Sequence, residues 1–294
     1  MAKKLSRTVK RKKSIHEVVD LIQEISSYQH HLIKRIRQLY QRKYREKYRQ
    51  YLIEGIRIVD DALQGGAKIE YILFCDALFR TESGKKLFQT LSEKNLKIYR
   101  IPDKLFRDIS DTHTPQGIMA ILSYQEFDYQ DIIDKSQGFL ILLDRIQDPG
   151  NLGTIIRAAD AAGADAVLMS KGCVDLYNLK AIRATMGSGF HFPVLQDIGN
   201  TQEIICHLKE NGFKIISTDL NARQYYYQID YHGKIVIVIG NEANGILPEV
   251  RKYSDSVVKI PILGKAESLN ASIAASIVMY EAVKQRHSQK ILKS

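Results

Sequence analysis

Three polar loops in the second half of the chain contain residue types that could do chemistry. They read DPGNLGTIIR (148–157), IGNEANGILPE (239–249) and IPILGKAESLNAS (260–272). Each loop places polar or charged side chains beside glycine, a residue that permits tight turns and lets a ligand approach the backbone. An arginine such as Arg157 could point a fixed cation into a site or could lie at the surface. The three loops are therefore the candidates for a binding site.

Helix capping is the simpler explanation for some of these residues. Asn151 follows the Pro149-Gly150 turn and is predicted to cap a helix running to Gly163, and Ser268 or Asn270 could cap another. For Glu242 the simpler role is a loop carboxylate that binds backbone N–H groups. Neither the phosphate-binding pattern GxxxxGK[ST] nor a GxGxxG dinucleotide fingerprint is present, so ATP hydrolysis and NAD chemistry are disfavoured.

The loops follow segments that are predicted to be buried strands. Runs of Val, Ile and Leu indicate strands covered on both faces, as in a mainly parallel sheet packed between helices. Ligands of such sheets bind outside the carboxyl ends of the strands. The predicted strands are FLILLD (139–144), DAVLMS (165–170), FKIISTD (213–219), KIVIVIG (234–240), SVVKIPI (256–262) and, more weakly, FPVLQ (192–196).

A second, smaller α/β region precedes this sheet. From residue 51, short apolar strands alternate with helical segments and end with TPQGIMAILSY near residue 124. Four parts are predicted: a basic N-terminal extension (1–28), a small α/β domain (29–124), a linker (125–138) and a larger α/β domain (139–294). The length of 294 residues suits two domains.

The positive charge is concentrated at the start of the chain. The first fifty residues contain 15 Lys/Arg and 4 Asp/Glu, a balance of +11, whereas the remaining residues contain 28 and 29, a balance of −1. A basic segment on a neutral body favours a polyanionic partner, most simply nucleic acid, although a solubilising tail is the alternative. Residues 15–40 are predicted to be helical.

Basic residues alternate with tyrosines in QRKYREKYRQY (41–51). Arg and Lys can bind phosphates and Tyr can stack on unpaired bases, as in proteins that bind single-stranded RNA. Arg42, Lys43 and Arg45 are therefore predicted to contact RNA. The tyrosines are expected mainly to pack inside their own domain.

The remaining composition indicates a cytoplasmic protein. Three scattered cysteines show no CxxC spacing, which is typical of reduced thiols and gives no sign of a metal site. No run of 18 apolar residues suggests a membrane span, and the N-terminus lacks the apolar core of a secretion signal.

In order, spacing and residue types, the three loops resemble the three motifs of the SpoU (TrmH) family of RNA ribose 2′-O-methyltransferases in the SPOUT superfamily. The similarity extends over residues 139–284 and includes DLYNLKAIRATMGS (175–188). In the first half, EGIRIVDDAL and TPQGIMA resemble the substrate-binding domain of two-domain members that modify ribosomal RNA. The joint set of motifs is specific, whereas one motif alone would not be.

The resemblance implies an α/β fold whose C-terminal, mainly parallel sheet carries a deep trefoil knot, next to a smaller N-terminal α/β RNA-binding domain. It implies S-adenosylmethionine as the cofactor, bound in the knot loops largely through backbone groups, with no metal. It also implies a homodimer formed through the C-terminal domain, RNA as the partner and no membrane association.

The resemblance also implies roles for individual residues. The positions that match cofactor contacts are Gly240, Ile260 and Leu269, with Thr218 and Asn241 near the same pocket. The positions that match catalytic-site residues are Arg157, Asn151, Glu242, Ser268 and Asn270. Lys180 and Arg183 are candidate contacts to the RNA backbone.

The implied reaction is an in-line attack of a ribose 2′ oxygen on the methyl group of the cofactor. Because a guanidinium stays protonated in proteins, Arg157 is expected to stabilise the forming alkoxide and hold the adjacent phosphate rather than act as the base. The other four side chains are expected to orient Arg157, the ribose and the loops. The proton acceptor is open.

Large-subunit (23S) ribosomal RNA is the expected substrate, because the first domain resembles that of members that modify ribosomal RNA. The alternatives are a non-catalytic RNA-binding or ribosome-assembly factor, and a transfer-RNA 2′-O-methyltransferase. An enzyme conferring antibiotic resistance would have the same architecture.

Overall fold

The computed structural model describes residues 15–291 of the 294-residue chain. Residues 1–14, which make up half of the predicted basic extension, lie outside the described residues. The contacts divide the described chain into two compact units. The first contains the described residues up to Gln38, then Leu52–Asp60 and Ile69–Leu122, and the second contains Leu39–Tyr51, Asp61–Lys68 and the residues from Ser123 onward.

The described helices are α1 (Ile15–Val19), α2 (His31–Leu39), α3 (Arg42–Tyr48), α4 (Ile56–Gln64), α5 (Glu82–Ser92), α6 (Asp103–Ile109), α7 (Tyr129–Ile133), α8 (Pro149–Ala161), α9 (Leu179–Ala184), α10 (Thr201–Glu210), α11 (Pro248–Tyr253) and α12 (Ala271–Ile291). The strands are β1 (Gln50–Glu54), β2 (Ile69–Phe74), β3 (Ile98–Arg100), β4 (Ile118–Ser123), β5 (Phe139–Leu143), β6 (Ala166–Met169), β7 (Val194–Leu195), β8 (Lys214–Thr218), β9 (Gln224–Tyr225), β10 (Ile235–Ile239) and β11 (Ser256–Lys259).

The first unit is built on a four-stranded sheet in the order β1-β4-β2-β3. Strand β2 pairs antiparallel to β4 and parallel to β3. Helix α5 follows the N-cap Thr81, whose hydroxyl accepts a hydrogen bond from the Gly84 N–H. The helix buries Phe88 against Phe74, with ring centroids 4.9 Å apart. The small α/β region predicted from the sequence therefore has its own apolar core.

The helix predicted over residues 15–40 is instead two helices, α1 and α2. Between them the chain is extended: the Ile25 N–H donates to the Arg100 carbonyl, and the Arg100 N–H donates to the Gln23 carbonyl. These bonds place the segment beside β3, so the backbone there is paired with a strand and cannot make helical hydrogen bonds.

The second unit is built on a seven-stranded sheet in the order β7-β6-β5-β10-β8-β11-β9, and the pairings are parallel. Strand β10 lies between β5 and β8, with Ile237 opposite both Ile141 and Ile216. Both the six predicted strands and the predicted mainly parallel sheet are confirmed. The predicted knot concerns the threading of the chain and stays a prediction.

Both faces of the central strands are buried, as their unbroken apolar sequences predict. One face packs Leu140, Leu142 and Val236 against helices α7, α10 and α11. Helices α8 and α12 pack on the other face and against each other. The segment predicted as a linker contains α7, and its Ile132 and Ile133 are buried in this core.

Helix α8 is rich in small residues at the place where it packs closely against α9. A Cβ atom at Gly153 would lie 2.4 Å from the Cβ of Ala184, so glycine allows α8 to cross α9 closely. The predicted N-cap is wrong: Asp148, not Asn151, caps α8 by accepting the Asn151 N–H at 2.8 Å. Asn151 lies one turn inside the helix, which leaves its side chain available for other contacts. No helix of residues 15–291 is long and apolar enough to cross a membrane.

Candidate active site

A cavity of about 660 Å³ opens at the carboxyl ends of β10, β8 and β11, three neighbouring strands. Parallel sheets bind ligands at this edge because the strand-ending loops converge there. Nine of the ten predicted catalytic and cofactor residues line the cavity: Asn151, Thr218, Gly240, Asn241, Glu242, Ile260, Ser268, Leu269 and Asn270. The volume is within the range of sites for ligands of drug or cofactor size.

A chain of hydrogen bonds joins the three polar loops at this cavity. The Asn270 amide donates to the Asn151 side-chain oxygen at 2.8 Å, and the Asn151 amide donates to a Glu242 carboxylate oxygen at 3.0 Å. These residues are up to 119 positions apart in the sequence. Each predicted motif therefore contributes one member to a single network.

Backbone N–H groups complete the coordination of the Glu242 carboxylate. Those of Gln147 and Asp148 donate to it, each at 3.1 Å. Partial burial opposes ionisation, but these bonds, together with the Asn151 amide and the N–H of Glu242 itself, lower the pKa of the carboxyl below its ordinary value. Glu242 is therefore a fixed anion that links the second loop to the start of α8.

Gly240 and Asn241 shape the loop after β10. A Cβ atom at Gly240 would lie 2.4 Å from the Gly245 carbonyl carbon and the Ile246 nitrogen, so only glycine fits there. The Asn241 side chain accepts the N–H groups of Ala243 and Asn244 and donates to the Arg145 carbonyl at 2.8 Å. Asn241 thus holds the loop itself, whereas Glu242 connects it to the first loop.

Arg145 is a structural part of the site that the sequence analysis missed. Its φ of 58° is in the left-handed region, which is unusual for a residue other than glycine. The guanidinium forms two hydrogen bonds with the fully buried Asp144, at 3.0 and 3.1 Å, and a longer one to the Gly245 carbonyl. The sequence offered only the pair Asp144-Arg145 at a strand end as a signal.

Asn270, rather than Ser268, caps α12. Its side-chain oxygen accepts the N–H groups of Ser272 at 2.9 Å and Ile273 at 3.3 Å. Because the same side chain donates to Asn151, Asn270 both begins the helix and joins the network. Ser268 is exposed and lines the cavity without a role in capping.

Arg157 is placed apart from the other predicted catalytic residues. It is exposed on α8, two turns beyond Asn151, and does not line the cavity. A single copy of the described chain therefore does not bring this guanidinium to the network.

The predicted RNA contacts differ in their exposure. Lys180 is 69% exposed, with its ammonium 3.8 Å from the Asp148 carboxylate beside the network. Arg183 is partly buried, and one of its guanidinium nitrogens is buried without a hydrogen-bond partner among the described residues. Of the two, Lys180 has the position that suits a contact with a phosphate.

The three predicted RNA contacts of α3 also divide. Lys43 is exposed, whereas Arg42 bonds Glu46 at 2.6 Å and Asp197 at 2.5 Å. Arg45 is buried, with its guanidinium 2.5 Å from the Asp175 carboxylate. An RNA contact at Arg45 does not fit this position, because its charge is already neutralised and removed from solvent.

The lining of the cavity suits S-adenosylmethionine, which carries a positive sulfonium and a flat adenine. Ile239, Ile260 and Leu269 offer apolar surface for a ring, and backbone groups of the three loops offer hydrogen bonds. Three carboxylates (Asp219, Glu242 and Glu267) and one ammonium (Lys259) line the cavity, and this negative balance favours a cationic ligand. Within residues 15–291, no group of three or more His, Cys, Asp and Glu side chains could hold a metal ion.

Comparisons with known proteins give the chain relatives over most of its length. A model of the SpoU rRNA Methylase family matches residues 138–280, and a model of the MRM3-like substrate binding domain matches residues 30–120. The chain is 33% identical over 259 residues to the 23S rRNA (guanosine(2553)-2′-O)-methyltransferase RlmP of Bacillus subtilis. That alignment covers 88% of this chain and 98% of the relative.

Solved structures show the same architecture. An AdoMet-bound rRNA methyltransferase from Sinorhizobium meliloti superposes with a TM-score of 0.78 at 32% identity, covering 90% of this chain and 98% of that one. The SpoU methyltransferase AviRb from Streptomyces viridochromogenes, in complex with AdoMet, has a TM-score of 0.78 at 26% identity, covering 88% and 99%. The two-part α/β fold is therefore shared along the whole of these relatives.

Proposed function

The chain belongs to the SpoU rRNA methylase family, and from this premise we propose that it methylates a ribose 2′ hydroxyl of 23S ribosomal RNA. S-adenosylmethionine supplies an electrophilic methyl group when bound. The family membership supports an RNA 2′-O-methyltransferase activity, and the name of the Bacillus subtilis relative supports the choice of large-subunit RNA. A ribosomal RNA substrate is consistent with a cytoplasmic location.

The observation that carries the proposal is the Glu242–Asn151–Asn270 network beside the cavity. Its members bond one another and nearby backbone groups, so they are fixed before any ligand arrives. Preorganised polar groups act on a reaction without a reorganisation cost. The network holds the three loops at one place, where the backbone of Gly240, Ile260 and Leu269 would bind the cofactor.

Two side chains of this network have a role toward the ribose. Glu242 is anionic at neutral pH, and its hydrogen bonds lower its pKa further below the ordinary value, so the carboxylate is a fixed acceptor near the cavity. The Asn151 side chain is held at both ends, because its oxygen accepts from Asn270 and its nitrogen donates to Glu242. These groups orient the nucleotide, and Ser268 offers an exposed hydroxyl at the same rim.

A homodimer would explain the position of Arg157. The C-terminal helix α12, which packs on α8, leaves Ile273 50% and Tyr280 51% exposed, seven residues apart on one face. Burying this apolar stripe against a second copy would remove it from water. In such a dimer, Arg157 of one copy would complete the cavity of the other by stabilising the alkoxide and binding the phosphate next to it.

Transfer of a labelled methyl group from S-adenosylmethionine to purified RNA tests the proposal. We expect label in unmodified 23S ribosomal RNA and in the 2′-O-methyl nucleoside fraction after digestion. Arg157→Ala should lose transfer while keeping its fold and cofactor affinity, with Arg223→Ala, an exposed arginine outside the cavity lining, as the control.

Other outcomes would overturn parts of the proposal. Label in transfer RNA but not in 23S RNA would contradict the substrate. Failure to transfer to any RNA, together with no heat of cofactor binding, would favour a non-catalytic RNA-binding factor. Mixed dimers test the shared site: an Arg157→Ala chain combined with a Gly240→Ala chain should regain part of the activity that each lacks alone.

A further inference from the structure

Helix α3 packs in the second unit through its arginines. Arg45 is 6% exposed; its guanidinium bonds the Asp175 carboxylate at 2.5 and 2.8 Å and donates to the Leu39 carbonyl at 2.7 Å. Arg42 bonds Asp197 at 2.5 Å. Since both aspartates are on segments that follow strands β6 and β7, they hold α3 at the carboxyl edge of the sheet, the edge that also carries the cavity.

The other charged and aromatic residues of α3 present a different surface. Lys43 and Lys47 are exposed, and neither forms an ion pair with a described residue. Tyr44 and Tyr48 are partly exposed, one helical turn apart, with their rings within 12° of parallel and their centroids 6.1 Å apart. The lysine ammoniums lie over these rings, at 4.8 Å from the Tyr44 centroid and 5.6 Å from the Tyr48 centroid.

The tyrosines of this stretch differ in burial. Tyr51, which ends the same tyrosine-rich stretch, is fully buried against Tyr177, with ring centroids 4.6 Å apart. In contrast, Tyr44 and Tyr48 are partly exposed, and the exposed lysine side chains over their rings can be displaced by water or a ligand. A pair of nearly parallel rings flanked by two lysines combines the two features that bind single-stranded nucleic acid.

We infer that Lys43, Tyr44, Lys47 and Tyr48 form a stacking platform for a single-stranded segment of the RNA substrate. Two bases stack on the tyrosine rings, and the lysines move from the rings to the adjoining phosphates. The proposal rests on the proposed function, since it names where the RNA of that reaction is bound. It also assigns opposite roles within one helix: the arginines anchor it and the lysines and tyrosines bind RNA.

The position of the platform suits an RNA strand that leads to the cavity. Asp175, which anchors Arg45, precedes α9 by four residues, and Lys180 on α9 lies beside Asp148 of the network. Exposed cations therefore mark the edge from α3 toward Glu242. An acidic peptide would be drawn to the same charges but has no flat bases to stack on the rings, so the tyrosine pair favours RNA.

Binding of the full chain to a fluorescent single-stranded oligoribonucleotide of about 12 nucleotides tests the platform. Tyr44→Ala combined with Tyr48→Ala should weaken binding by at least about 30-fold, as expected when two base stacks are lost. The same variant should bind an oligonucleotide of abasic riboses as well as the wild type does. Tyr44→Phe with Tyr48→Phe keeps the rings and should restore binding to the base-bearing probe.

Charge is tested separately with the lysines. Lys43→Ala with Lys47→Ala should weaken binding to both probes and reduce the slope of log affinity against log salt by about 1.4, or 0.7 for each phosphate contact. Lys135→Ala with Lys214→Ala removes the same charge at the amino-terminal edge of the sheet and is the matched control, expected to leave the slope unchanged.

Cross-linking locates the contact independently of affinity. A 4-thiouridine oligonucleotide irradiated with the wild-type chain should label the peptide that contains Tyr44 and Tyr48. The platform would be overturned if the tyrosine variant and the wild type bound the base-bearing probe equally. It would also be overturned if the labels were confined to other peptides, or if poly-glutamate competed with the probe as well as unlabelled RNA does.

The two proposals fail separately. A wild-type chain that binds the oligonucleotide through the tyrosines but transfers no methyl group to any RNA would contradict the proposed function and leave the platform in place. A chain that methylates 23S RNA while its tyrosine variant binds unchanged would overturn the platform alone.

Discussion

Two stretches of the same sheet edge use polar residues in opposite ways. The exposed Glu242 lies in the loop after β10, beside the carboxyl ends of β8 and β11. It accepts hydrogen bonds from the Asn151 amide and from backbone N–H groups, and its negative charge faces a cavity. After β6, Asp175 is buried and its charge is neutralised by Arg45. The comparison shows that residue type alone does not assign a role: the partner and the exposure decide whether a charge serves ligand binding or folding.

The difference has an energetic basis. A carboxylate held by neutral donors keeps its charge available to a cationic ligand, whereas a buried ion pair repays its desolvation only through its partner. Substitution of Glu242 should therefore change ligand binding more than it changes stability. Substitutions at the Arg45–Asp175 pair should do the reverse.

The largest expected effect is that of Gly240→Ala. The added Cβ would meet the backbone of Gly245 and Ile246 at 2.4 Å, and backbone cannot yield as a flexible side chain does. We expect the affinity for S-adenosylhomocysteine, measured by calorimetry, to fall about 100-fold, which corresponds to about 2.7 kcal/mol. Gly264→Ala, at a glycine of the third loop with no atom near its added Cβ, is the control and should bind normally. Normal binding by Gly240→Ala would contradict the assigned pocket.

At the ion pair, Arg45→Met should lower the free energy of unfolding of the second unit by about 3 kcal/mol, because it leaves the buried Asp175 carboxylate uncompensated. Adding Asp175→Asn should recover part of that loss by removing the charge. Denaturant unfolding followed by fluorescence measures both variants. A loss of cofactor-binding free energy in Arg45→Met that exceeds its loss of unfolding free energy would contradict the structural role of this ion pair.

Glu242→Gln should reduce cofactor affinity or methyl transfer by about tenfold, which corresponds to about 1.4 kcal/mol. The cause is that an amide N–H₂ would replace one oxygen that accepts backbone N–H groups. Glu267→Gln, which also lines the cavity, should change it less because no hydrogen bond holds that side chain in place among the described residues. Equal effects of the two substitutions would argue against the network.

The lowered pKa of Glu242 gives this network a defined pH dependence. A carboxyl whose folded pKa is below its unfolded value stabilises the folded state above the unfolded pKa, and this contribution is lost as the pH falls through the folded pKa. We expect S-adenosylhomocysteine affinity to stay flat down to the ordinary glutamate range, near pH 4.3, and to fall below it. In Glu242→Gln this fall should vanish, and its persistence would assign the titration to another group.

The smallest expected effect separates the two polar residues of the third loop. Asn270→Ala removes the cap of α12 and should cost about 1 kcal/mol of unfolding free energy, in addition to weakening the network. Ser268→Ala should stay within about 0.5 kcal/mol, as for surface substitutions without structural contacts. Thermal unfolding of both variants measures the difference, and a larger loss for Ser268→Ala would reverse the assignment.

Much of this organisation could be predicted from the sequence because it is local. Unbroken apolar runs predicted the parallel strands, and the resemblance to a known family assigned Gly240 and Asn241, at the end of one of them, to the cofactor site. The prediction of Asn151 as the cap of α8 was wrong because Asp148 and Asn151 both flank Pro149-Gly150 and either can accept a backbone N–H. The Asn151 side chain instead donates to Glu242, 91 residues away, a contact that only the folded chain shows.

The burial of Arg45 was not predictable for a related reason. Its partner Asp175 is 130 residues away. The sequence of α3 alone therefore does not show that its arginines bind aspartates of the second unit while Lys43 and Lys47 stay exposed. The guanidinium of Arg145 likewise donates to the Gly245 carbonyl, 100 residues along the chain, a contact that no local pattern indicates. The resemblance to a known family predicted which residues matter, and long-range contacts determine what each of them does.

The most direct test of the central claim is a map of 2′-O-methylated riboses in 23S ribosomal RNA from cells with and without this gene. We expect one ribose methylation to disappear with the gene, to return with the wild-type chain and not to return with Gly240→Ala. Identical maps in the two strains, or a lost methyl group on a base instead of a ribose, would contradict it.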